Sequence, residues 1–336
     1  MGALQKRLGG FLLFACMTVG SVSAQPVPPA SPPGGSSRPP AARVDDALQN
    51  ITNLVRAGRV GYATVWDGNK YVQCRRQTDR SMRCEAAGTA MQPSLRAVLT
   101  GARLDKLANL GWRLDPSFGN YVRTFPAETP SGHIAEQIVR TLSDAYGADT
   151  AKLEINTGWV TDMPCPPRNG PTQNLAGIVD DAPSMLPTAV LTCSYTPPPE
   201  PTQKATSAAE LITIYGARVT AELQRLRINA NASPRPVAIF NVGIGYIQCM
   251  PETPEPALYC EAQSEESWPA LTAIITPERL ARLHAVGYAD PGRAPNYSKS
   301  YPFEKYSDAV TANEILTLLF DIYGYNGMQQ MKIDAW

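Results

Sequence analysis

Histidine is nearly absent: the 336 residues include two, His133 and His284. Neither lies in HExxH or at another metal-ligand spacing, and GxSxG, the P-loop and GxGxxG are missing too. Gly243 and Gly245 sit in a strand-like region without the helix that phosphate cradling requires. CxxC is also missing, which removes the common redox and zinc arrangements. No catalytic residue, metal ligand or cofactor site is therefore expected. Carboxylates need no motif, so Asp115 with Glu85 and Asp290 with Glu261 remain acid–base candidates beside the plainer reading of turn formation and sheet pairing. Excess charge is lacking as well, with 30 basic and 30 acidic side chains. Nothing in that balance draws the chain to nucleic acid.

Long apolar runs are confined to the N-terminus. Lys6 and Arg7 precede a stretch over residues 8–19 that is too short to span a bilayer, and Val22-Ser23-Ala24 offers small residues for cleavage before Gln25. The expectation is a signal peptide over residues 1–24 and a periplasmic or secreted chain with no transmembrane helix. A membrane tether would arise only if Cys16, in Leu13-Phe14-Ala15-Cys16, were acylated. Without the leader, 28 basic and 30 acidic residues leave a charge of −2.

Proline is plentiful, at 31 residues. Residues 25–42 read as a Pro-rich solvated linker, and Pro197-Pro198-Pro199-Glu200-Pro201 closes a second break over 160–203. Between the breaks the chain repeats. Tyr71-Val72-Gln73-Cys74 returns as Tyr246-Ile247-Gln248-Cys249, and Cys84-Glu85-Ala86 as Cys260-Glu261-Ala262. Leu104, Leu107, Gly111, Trp112, Asn120, Tyr121 and Pro126 return as Leu280, Leu283, Gly287, Tyr288, Asn296, Tyr297 and Pro302. Tyr146-Gly147 returns as Tyr323-Gly324, and offsets of 175 to 177 across all these positions predict a tandem duplication, with repeats at 43–159 and 204–336.

Each repeat reads as α+β. A leading helix (44–56; 208–227) precedes a three-strand meander (61–66, 71–75, 82–86; 237–240, 246–250, 258–262). A second helix ends at Gly111 or Gly287, and Thr276-Pro277 suits its start in the second repeat. A strand opening on Asn-Tyr, a helix carrying Ile134, Ile138 and Leu142 (or Ile315, Leu318 and Ile322) and a short closing strand (153–155; 331–333) complete it. The fold expected is an antiparallel sheet, three-strand meander plus one or two strands, packed with about three helices on one face.

Six cysteines remain once the leader goes, an even number that in an exported chain points to disulfides, although six allow fifteen pairings. If Cys74 faces Cys84 on adjacent antiparallel strands, and Cys249 faces Cys260, the strands bring each pair within bonding range. Cys165 and Cys193 bracket the 160–203 insertion and pair by elimination. That register turns Val72, Cys74, Met82 and Cys84 to one face, with Ile247, Cys249, Leu258 and Cys260 in the second repeat. The opposite face then carries Tyr71, Gln73, Arg75, Arg83 and Glu85, or Tyr246, Gln248, Met250, Tyr259 and Glu261. Its aromatic and polar groups suit a binding patch, or simply a solvated sheet face. Trp112 and Tyr288, each before Asp-Pro, are further binding candidates, or else aromatic plugs where a helix leaves the core.

This order of elements, with the helix ending Leu-Gly-Trp, the Asp-Pro turn, the Asn-Tyr strand and the helix ending Tyr-Gly, resembles the YbjN and type III secretion chaperone-like (TY-Chap-like) domain superfamily, in two tandem copies. The resemblance implies a small sheet packed with helices and protein binding or assembly as its role, with a protein partner and no catalytic residues to carry across. The reading is therefore an exported tandem protein-binding or chaperone-like protein of the cell envelope. The alternatives are a carboxylate-based hydrolase without a recognisable motif, or a structural envelope component.

Mass analysis of the exported chain is expected to place the mature N-terminus at Gln25, whereas an acylated Cys16 at the terminus would make it a lipoprotein. Non-reducing peptide mapping is expected to recover Cys74–Cys84, Cys249–Cys260 and Cys165–Cys193.

Overall fold

Apolar residues of the first helix, Val44, Ala47, Leu48 and Ile51, recur every three or four positions, and all four are buried. In the computed structural model this helix is α1 (Pro40–Asn53), and residues 38–56, 58–116, 119–161, 204–292 and 294–335 are described. The expected signal peptide, Cys16, and the pair Cys165 and Cys193 lie outside them. Pro40 opens α1, so the Pro-rich linker ends earlier than residue 42. Proline presets φ for a first turn and lacks an N–H that would be left without an intrahelical partner there.

After α1 come β1 (Arg59–Asp67), β2 (Lys70–Arg76), β3 (Met82–Ala86), α2 (Gly101–Asn109), β4 (Arg113–Asp115), β5 (Asn120–Phe125), α3 (Ser131–Arg140) and β6 (Glu154–Thr161). The second half runs α4 (Ala208–Ile228), β7 (Ala238–Asn241), β8 (Tyr246–Glu252), β9 (Ala257–Ala262), α5 (Pro277–Ala285), β10 (Tyr297–Pro302), α6 (Asp308–Asp321) and β11 (Lys332–Ala335). One sheet has the order β4-β5-β3-β2-β1-β6 and the other β10-β9-β8-β7-β11, with all pairings antiparallel. The protein is α+β, two sheet-plus-helix units. The two orders correspond strand for strand except at β4, whose counterpart is a lone bridge between Ala289 and Ser298. The closing strands are longer than the sequence suggests, and β6 lies along the whole of β1.

The hydrogen bonds correspond too. Tyr146 donates to the carbonyl of Ala87 and Tyr323 to that of Gln263, both at 2.6 Å. Gly111 and Gly287 have φ of +81° and +96°, the left-handed turn that ends α2 and α5. Arg123 and Lys299 each donate to a carbonyl at that helix end, of Leu110 and of Val286. Thr276 caps α5 by accepting from the N–H of Arg279.

Cys74–Cys84 and Cys249–Cys260 are bonded, with Cα atoms 4.0 and 4.1 Å apart across directly opposed strand positions. Each closes a loop small enough to contribute about 2–3 kcal/mol through the unfolded state. Val72, Met82, Ile247 and Leu258 are buried with the cystines against the helices, as the register requires. No helix among the described residues is long and apolar enough to cross a membrane.

The two units meet through α1 and α4 on a polar seam. Asn50, wholly buried, donates to the carbonyl of Ala221 at 2.7 Å and accepts from the hydroxyl of Thr157 at 3.2 Å. Asn229 accepts from the backbone N–H of Thr157 at 3.1 Å, which occupies a donor on edge strand β6. Glu222, also buried, takes Arg56 at 3.1 Å and Arg225 at 2.9 Å, with the Arg56 guanidinium over the Trp159 ring. Asp46 takes Arg227 at 3.1 Å.

Removing the acid of a buried ion cluster leaves its cations without partners, so Glu222→Ala is expected to cost about 3–5 kcal/mol in urea-induced unfolding. A loss below about 1 kcal/mol would show that water reaches the seam.

Candidate functional site

The face of each sheet turned away from the helices was the sequence's binding candidate. In the second unit it holds Tyr246, Gln248, Met250 and Glu252 on β8, Tyr259 and Glu261 on β9, and Ser298 and Ser300 on β10. Tyr246, Gln248 and Tyr259 are partly exposed, whereas Glu261 is buried. Its carboxylate lies in a net of neutral donors. Gln248 donates to Oε2 at 2.6 Å and Asn296 to the same oxygen at 3.1 Å, and the Asn296 amide also reaches the Tyr246 hydroxyl at 3.2 Å. The Asn296 carbonyl oxygen accepts from the N–H of Ser264 at 3.3 Å, which ties the loop after β9 to the start of β10. Tyr259 has its pKa raised, first by burial, with its hydrogen bond to Glu261 adding to the effect and that to Ser298 opposing it.

The first unit builds the same frame with different contents. Gln73 lies opposite Glu85 as expected, but Tyr71 and Glu85 are buried, so this face is less open than alternation alone predicts. Tyr71 belongs to the core cluster and donates to Asn120 at 3.2 Å, and Asn120 also accepts from the N–H of Gly88 at 3.0 Å. Strand alternation decides which side a residue points to, and neighbouring side chains decide whether that side is wet. Arg83 faces Arg75 across the strands, and Arg83 forms ion pairs with Glu85 at 3.4 Å and Asp115 at 3.1 Å.

The carboxylate candidates separate accordingly. Asp115 and Glu85 converge on the Arg83 guanidinium. Asp290 is exposed and meets His284 at 2.9 Å, while Glu261 keeps its own net on the sheet. Trp112 and Tyr288 are buried, not available on the surface. Trp112 donates to Thr141 at 2.9 Å, and the Tyr288 hydroxyl is hydrogen-bonded to that of Tyr301, which donates its proton to Glu314. Both are aromatic plugs where a helix leaves the core. A shallow groove of about 560 Å³ runs along the β4–β5 edge, lined by Arg113, Leu114, Asp115, Val122 and Arg123, with Leu114 more than half exposed.

Sequence reasoning did not assign Asn296 to this site, although its recurrence with Asn120 was the available signal. A short amide that joins the loop after β9 to the outer face explains that recurrence. No group of His, Cys, Asp and Glu among the described residues is placed to hold a metal ion.

Residues 43–155 match TY-Chap3, the family model described as T3SS (YopN, CesT) and YbjN peptide-binding chaperone 3. The TY-Chap3 match covers about a third of the chain, from α1 to the start of β6, and lies wholly in the first unit. No curated protein and no solved structure matches the chain.

Trp112→Ala is expected to cost about 3–5 kcal/mol in thermal or urea unfolding, as for a buried aromatic. Tyr259→Ser, at a partly exposed site, is expected to cost no more than about 1 kcal/mol. A large loss at Tyr259 would mean that another layer covers the outer face.

Proposed function

We propose that this is an exported, non-enzymatic protein of the cell envelope that binds segments of other proteins in a chaperone- or assembly-like role. The TY-Chap3 match carries the reading, since that family is described as peptide-binding. A second support is the outer face of the second sheet, where Tyr246, Gln248 and Tyr259 combine ring surface with hydrogen-bonding groups in a partly exposed layer. Export is supported by the charged, apolar and small-residue order of residues 1–24 and by two cystines that need an oxidising compartment to persist.

The second unit, outside the matched residues, is read as a second copy of the same domain. The recurring residues, the strand order and the paired hydrogen bonds of Tyr146 and Tyr323 support that reading. Two copies in one chain would place two sheet faces on one molecule and raise the local concentration of the second once the first is engaged.

The test is binding of the oxidised, exported chain to an array of overlapping peptides from envelope proteins, followed by fluorescence anisotropy on the strongest. Saturable binding that weakens when Tyr259 is replaced by Ser, with folding intact, is the expected result. Absence of binding across the array, with no delay in the aggregation of an unfolded reporter, would overturn the reading.

A further inference from the structure

Glu261 is a buried carboxylate on an otherwise half-open sheet face, and among the described residues it forms no ion pair. Its partners are two neutral amides, both on Oε2, and the Tyr259 hydroxyl. Desolvating an anion without a counter-ion is costly, and neutral donors offset only part of that cost. The nearest basic side chain along the ladder does not serve it. Lys299 stands opposite Cys260, so it points to the helix side, where it is bonded to Glu314 and to the carbonyl of Val286.

The first unit shows what chemistry completes this arrangement. Glu85 occupies the position equivalent to Glu261, and it meets the Arg83 guanidinium of its own chain. Arg83 stands in the place of Tyr259, by the same offset of 176 that relates Glu85 to Glu261. One sheet therefore carries its own cation beside the acid, and the other has a tyrosine there instead. The surrounding charge agrees. Cross-strand rows put Asp334, Ile239, Gln248, Glu261 and Ser298 on this face, with Glu252 beyond them and Lys332 as the basic residue at its far strand.

We propose that the outer face of the second sheet binds an arginine side chain of a peptide, with Glu261 as its anionic partner and the Tyr246 and Tyr259 rings beside it. A planar guanidinium suits a carboxylate and an aromatic face together better than a compact ammonium does. The proposal rests on the peptide-binding reading and names the residue of the peptide that this face selects.

The test uses acetyl-arginine amide and its uncharged isostere acetyl-citrulline amide, titrated into the full oxidised chain and followed by NMR at the Gln248 and Asn296 side-chain amides. Shifts with the arginine compound and none with the citrulline compound are expected. Glu261→Gln keeps the hydrogen-bonding shape without the charge and is expected to abolish them. Tyr259→Arg, which builds the first unit's arrangement into the second, is expected to do the same with the backbone spectrum intact. In peptides that bind the chain, arginine-to-citrulline replacement is expected to weaken binding about tenfold or more. Shifts that persist in Glu261→Gln overturn the proposal. Peptide binding that is indifferent to citrulline and to both variants overturns it while leaving the peptide-binding reading in place. Glu261-dependent shifts with acetyl-arginine amide but no peptide binding would support the arginine site and remove that reading.

Discussion

Two cross-strand cystines fix the register on which everything else in each sheet depends. Side chains alternate along a strand, so a slip of one residue would exchange the core set for the outer set. With Cys74 opposite Cys84 and Cys249 opposite Cys260, a slip would require breaking a covalent bond. The cystine sulfurs lie among the apolar residues under the helices, and the residues between them are forced outward. Gln248 reaches Glu261 because both strands keep that register.

The seam between α1 and α4 is a different kind of contact. Its centre is Asn50, Thr157, Asn229 and the Glu222 cluster, all hydrogen-bonded, and not a dry apolar layer. Groups of this kind contribute little net stability against a well-packed apolar alternative, but they tolerate no misplacement. The Asn50 amide, for example, meets the Ala221 carbonyl and the Gln224 side chain of the facing helix. The seam also occupies β6, the edge that would otherwise offer free backbone donors to a neighbouring chain.

Within this shared frame the units differ where function is proposed. The aromatic that ends the second helix is Trp112 in one and Tyr288 in the other, and both are core residues. On the outer faces the change from Arg83 to Tyr259 alters the charge around an otherwise equivalent carboxylate. Two units of like fold can keep their packing while differing in a counter-ion, because outer-face positions are released from the core's demand for fit.

Much of the architecture was legible in the sequence, since the strand alternation, the cystine spacing and the cap at Thr276 are local patterns with direct physical meaning. The short strand β4, the turns at Pro93–Ala97 and Pro269–Ala273 and the start of α1 at Pro40 were not, because neighbours set them more than local preference does. The outer face was only half legible. Alternation set Tyr71 and Glu85 on the side opposite the cystines, but both are buried, and burial depends on how far the surrounding side chains reach, which no single strand encodes. The sequence by itself therefore determined the longer elements, the register of the meander strands and the two cystines, all of which follow from spacing along the chain. Only the tertiary structure decided that Asn50 meets Ala221, that Glu222 gathers two arginines and that neutral amides meet Glu261. Those facts depend on the distance in space between residues that the sequence holds far apart.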